Sequence, residues 1–164
     1  ATLPAKDRGA LLAFQKETQR LQRAVLGAVQ SAREAKDRLA HLKKAIDDTP
    51  GADPALADDA RALDARLTDL LVSLSGDDIL SRHNEPTPPS IANRVRRVVE
   101  GHWTSTSDAT KTHHRAYEIA AAEFTDVLAR LRTLVETDLR GLEARAEKAG
   151  APWTPGRVPE WNPE

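Results

Sequence analysis

Phe14, Thr18, Leu21, Val25, Ala28, Ala32, Ala35, Leu39, Leu42 and Ile46 follow one another in unbroken alternating steps of four and three. Such a seam is what an under-wound α-helix presents to a partner helix, so the start of the chain is committed to helix–helix packing. The helix should run from about Lys6 to Asp48, on the order of 60 Å at a rise of 1.5 Å per residue. Three alanines in the middle of the seam would let a neighbouring helix approach closely there. Glu34 with Arg38, and Arg33 with Asp37, are i,i+4 pairs that support its solvent face.

The same period continues after a stop. Pro50 and Gly51 end the first helix, and Asp53 and Pro54 supply an N-cap and a first helical residue for the second. Leu56, Ala60, Leu63, Leu67, Leu70 and Leu74 form its seam, which should end near Gly76. A connection this short makes the two helices antiparallel neighbours. Asp77 to Pro89 is a connector with at most one turn around Ile79 and Leu80, because Pro86, Pro88 and Pro89 forbid a continuous helix. A third helix starts at about Ser90 and presents Ile91, Val95, Val98 and His102 on one side. Thr104 to Thr112 reads as a polar loop.

The fourth helix should begin at Ala109 or Thr112 and end at Ala149. Its stripe is Tyr117, Ala121, Phe124, Leu128, Leu131, Val135, Leu142 and Ala146, with Leu139 close to register and Gly141 a weak or bent point. Gly150 is a C-cap candidate. No stretch has the β period and no fixed-length repeat occurs. The expectation is an all-α, up-down-up-down antiparallel four-helix bundle over 1–150, two helices long and two shorter. A Pro/Trp-rich tail over 151–164 packs on the bundle or on a neighbouring domain.

Composition narrows the function classes. Charged residues make up 30% and aromatics 4%, which suits packing through leucine and alanine rather than an aromatic-rich sandwich. A net charge of -1 gives no global field for nucleic acid or an anionic membrane. The lack of cysteine excludes disulfides, thiolate zinc sites and cysteine nucleophiles. No apolar run approaches the roughly 20 residues that span a bilayer. A start at Ala1 with no signal-like segment reads as an excised domain or a processed chain, the former favoured.

Three groups of residues are candidates for chemistry. His102, His114 and Glu118 could share a metal, since His114 and Glu118 are i,i+4 and His113 and Glu100 lie close by in sequence; a surface of polar helix ends is the competing reading. Arg94, Arg96, Arg97, Lys111, Arg115, Arg130 and Arg132 make the middle basic, enough for an anion or for a charge-balanced helix surface. Thr104, Ser105, Ser107 and Asp108 near His113 resemble a nucleophile, base and acid, but helix caps use the same residue types and no oxyanion hole or nucleophile elbow accompanies them. No catalytic residue and no cofactor is expected. Trp103, Trp153 and Trp161 sit in loops and the tail. Each either docks a partner or, with Val158 in the tail, pins one segment of the chain on another.

The later part of the chain carries a further pattern. Its marks are Asn84-Glu85-Pro86-Thr87-Pro88-Pro89-Ser90-Ile91, Arg94-Val95, Gly101-His102-Trp103, His113, Arg115 to Ala120, Phe124, Leu131 to Leu139 and Ala149 to Arg157. Over about Ser81 to Trp161 they resemble the C-terminal helical region of bacterial sortilin-like, BNR-repeat β-propeller proteins, often labelled glycosyl hydrolase. The resemblance implies a secreted or periplasmic parent and a non-catalytic terminal domain. Its partners would be the parent's own N-terminal propellers or another copy of itself. Any hydrolase chemistry would belong to the propellers.

Overall fold

The computed structural model describes Pro4–Pro163 and is all-helical, with no strand among those residues. Helix α1 is Arg8–Asp47, α2 Pro54–Ser75, α3 Asp78–Arg82, α4 Ile91–Trp103 and α5 Lys111–Thr133; a π-helical segment, Leu134–Leu139, leads into α6, Arg140–Lys148. No helix among the described residues is long and apolar enough to cross a membrane.

The leucine and alanine seams are inside. Val25, Ala32, Ala35, Leu39 and Leu42 of α1 are at most 1% exposed, and Leu67 and Leu74 of α2 are fully buried. Leu21 alone of the first seam is only half-buried. Local chemistry sets the ends. Asp7 caps α1 by accepting from the Ala10 N–H (3.0 Å), and Asp53 caps α2 through the Ala55 N–H (2.9 Å). Asp77 and Ser90 cap α3 and α4. Gly76 has φ 95° and Asn84 φ 54°, the left-handed turns that let the chain leave α2 and α3. After α6, the Ala151 N–H reaches the Ala146 carbonyl (3.0 Å) and the Gly150 N–H that of Glu147 (2.9 Å), a Schellman closure.

The expected fourth helix runs unbroken from Lys111 to Lys148, but its π segment corrects the register of the expected stripe. Leu134 and Leu139 are both fully buried, while Val135 is half-buried. A five-residue step places two side chains on one face only where the helix takes i→i+5 bonds. The seam therefore runs Leu131, Leu134, Leu139, Leu142, Ala146 rather than through Val135.

The chain divides into two compact units. One contains the residues up to Gln30 with Leu70–Ala129, the other Ser31–Asp69 with Arg130–Glu164. In the first, α1, α4 and α5 meet through Phe14, His102, His114 and Tyr117. In the second, ion pairs join α1, α2, the π segment and α6. Lys36 (2.6 Å) and Lys43 (3.2 Å) hold Asp64, Arg66 holds Asp138 (2.8 Å), and Arg145 holds Asp59 (2.7 Å). Burial pushes the Asp64 carboxyl up, but the two lysine hydrogen bonds outweigh it and leave the group below the usual carboxylate range.

Candidate functional site

The first unit holds the chain's most unusual chemistry. His102 lies on the buried face of α4 with Val95 and Val98, is 1% exposed, and neither ring nitrogen has a hydrogen-bond partner. Phe14 packs against it at 5.1 Å between ring centroids and against His114 at 4.1 Å, with Tyr117 at 5.8 Å. The His113 ring stands 5.9 Å from that of His102. Burial, and then the charges that His113 and His114 can carry, hold the His102 imidazole below its ordinary range, so the neutral form is the resident one.

His113 also closes the start of α5. The Thr110 hydroxyl accepts from the His113 N–H (3.2 Å), and His113 Nδ1 accepts from the Thr110 N–H (3.3 Å). This is a capping box in which an imidazole takes the position usually given to a carboxylate. Gly101 makes room for that ring, because a Cβ built there would lie 2.5 Å from His113 Nε2.

The expected His102, His114 and Glu118 ligand set is not assembled. Phe14 is the common ring neighbour of the two histidines, and Glu118 is exposed and paired with Arg115 (3.5 Å). Among the described residues no group of three or more His, Asp or Glu side chains is placed to hold a metal ion. Three of the basic residues bond neighbours on their own or the adjacent helix. Arg94 faces Glu123 (3.7 Å), Arg96 bonds Asn93 (2.7 Å), and Arg132 bonds Glu136 (3.3 Å). The serine and aspartate near His113 serve the loop: Ser105 Oγ accepts from the Ser107 N–H (3.1 Å), and Asp108 accepts from the Lys6 N–H (3.2 Å).

The tail is held by charge, a feature that tryptophan-based reasoning missed. Glu143 is 3% exposed and takes a bidentate grip from Arg38 (2.8 and 3.0 Å). Arg157 of the tail adds a contact to Glu143 at 3.5 Å, pairs with Glu147, and lies 5.0 Å above the Trp153 ring. Ala151 and Thr154 are buried beside this cluster's unit, whereas Trp161 and Val158 are each 86% exposed. Neither of those two residues pins the tail, which corrects that expectation. The signal available in sequence was the heptad position of Glu143, next to Leu142 on the core face of α6.

Trp103 ends α4 and is 59% exposed; Trp153 is 40% exposed. Trp103 closes one side of an open cleft on α1 lined by Lys16, Gln19, Arg20, Gln22 and Arg23. A second cleft, between α2 and the π segment and α6, is crossed by the Arg66–Asp138 and Arg145–Asp59 pairs, which neutralise each other. Compared with known proteins, the chain matches no family model, no curated protein and no solved structure.

Proposed function

We propose that this chain is a non-catalytic interaction module, the C-terminal domain of an exported sortilin-like, BNR-repeat β-propeller protein. In this reading residues 1–150 form an up-down-up-down antiparallel four-helix bundle and 151–164 its extended tail. The parent is secreted or periplasmic, and the module binds its propellers or a second copy of itself. One observation carries the reading. All three tryptophans keep a large part of their rings in water, led by Trp161 at 86%. Trp103 lies in one unit and Trp153 and Trp161 in the other, and large apolar rings left exposed mark surfaces that a partner covers. Of the buried polar side chains, Ser90 serves a helix cap and Glu143 an ion pair.

The test mixes this chain with the polypeptide encoded immediately upstream and follows sedimentation. The reading expects β-propeller repeats and an export signal upstream, and a complex that weakens in Trp103→Ser and Trp161→Ser. A strictly monomeric chain that ignores the upstream polypeptide, or an upstream sequence without propeller repeats, would refute it.

A further inference from the structure

We infer that the water-facing stripe of α1 from Leu12 to Leu26, with Trp103 beside it, is a docking face for an acidic amphipathic helix. The inference rests on the interaction-module reading and names the surface and its partner's chemistry. Leu12, Lys16, Gln19, Arg23 and Leu26 repeat the alternation of four and three that builds the core seam, displaced by two residues. Two residues turn a helix by roughly 200°, so this second seam lies almost opposite the first. Only Leu12 and Leu26 of its five positions are apolar, so it is a basic strip with a leucine at each end. Leu12 is 51% and Leu26 58% exposed.

The charges say which helix. Lys16, Arg20 and Arg23 are all exposed, and none has an ion pair among the described residues. Arg38, Arg66, Arg145 and Arg157 are each matched to a carboxylate, while Arg33, Arg97, Arg140 and Lys148, like the three on this face, have no ion pair among the described residues. Lys16, Arg20 and Arg23, with Glu17 the one acidic residue among them and Leu12, Leu26 and Trp103 alongside, give a net basic strip that complements carboxylates framed by apolar side chains. The leucines are about 21 Å apart along the axis, four turns of a partner helix. A second copy fits poorly, because a two-fold pairing about Gln19 would set Lys16 opposite Arg23. A nucleic acid strand would leave both leucines against phosphates.

The probe is a 21-residue peptide with leucine at heptad positions a and d and glutamate at e and g. Its control carries lysine at e and g. In a Trp153→Phe/Trp161→Phe background the remaining ring, Trp103, reports binding by fluorescence. The acidic peptide is expected to shift Trp103 emission and to bind more weakly as salt rises. Lys16→Glu/Arg23→Glu should weaken it about tenfold, and Leu12→Ala/Leu26→Ala should weaken it at all salt concentrations. Absence of binding, equal binding of the lysine peptide, or indifference to the charge reversal overturns the proposal. So does tighter binding of oligo-dT, or self-association of the chain that these substitutions abolish. An upstream polypeptide that binds but ignores Lys16→Glu/Arg23→Glu overturns this face and leaves the module reading standing. Peptide binding without any upstream association does the reverse.

Discussion

Replacing His102 by leucine should stabilise this protein and flatten its response to acid. The imidazole is 1% exposed and both nitrogens lack partners. A buried polar group left unpaired costs about 1–3 kcal/mol. Leucine has a similar volume and no polar atom, but gives up the ring contact with Phe14, worth about 0.5–1.5 kcal/mol. The net expectation at pH 7.5 is a gain of about 1 kcal/mol, or a Tm rise of roughly 2–4 °C for a chain this long. The acid response has a fixed sign. The folded state holds His102 below its ordinary value of 6.5 because burial disfavours the cation and His113 and His114 repel it. Well above that value both states are neutral and the contribution is complete. Below it the unfolded chain takes up a proton that the folded chain refuses. Stability then falls by up to about 1.4 kcal/mol per pH unit, until the lower folded value is reached. Urea unfolding followed by circular dichroism at pH 7.5, 6.5 and 5.5 measures both effects. A leucine variant that is less stable at pH 7.5 and keeps the full acid slope would refute the reasoning.

Two glycines give opposite signs. Gly27→Ala, with nothing within 4 Å of the new Cβ, should stabilise by about 0.5–1 kcal/mol, whereas Gly101→Ala should lose about 1 kcal/mol by displacing His113 from its cap; thermal melts compare them. Glu143→Ala should cost about 2–4 kcal/mol by stranding Arg38 and removing one contact of Arg157, which keeps Glu147, less than a fully buried pair because Arg38 keeps 34% of its side chain in water. Limited proteolysis should then cut the tail near Arg157 faster. Deleting exposed Glu136 should convert the π segment to α-helix and keep stability within about 1 kcal/mol, while deleting Ala129 from α5 should shift a buried seam and unfold the protein. Chemical denaturation separates the two deletions.

The seams of α1 and α2 were legible because a period of three and a half, over ten positions in the first and six in the second, admits only one helix face. The cap at Asp53 and the helix start at Ser90 were legible because local bonds decide them, whereas the Asp77 cap lay inside what reads as a connector. The π segment was not, since Leu134 and Val135 are adjacent apolar residues and either completes a plausible stripe. Tertiary packing chose Leu134. The structure sets the His113 ring beside His102, and Phe14, distant in sequence, packs against both His102 and His114. Ring packing and a helix cap are what the structure shows of them. The tail misled because tryptophan is the stronger apolar signal, while Arg157 reaching Glu143 and Glu147 is a long-range pairing that no local pattern announces.

Hydroxyl-radical footprinting read residue by residue by mass spectrometry tests the central claim, that leucine seams are sealed inside while aromatic and basic helix surface waits outside. Leu39, Leu67 and Leu74 should resist modification, Trp103 and Trp161 should oxidise rapidly, and Trp153 should fall between. Protected Trp103 and Trp161, or leucines modified as fast as the tryptophans, would contradict it.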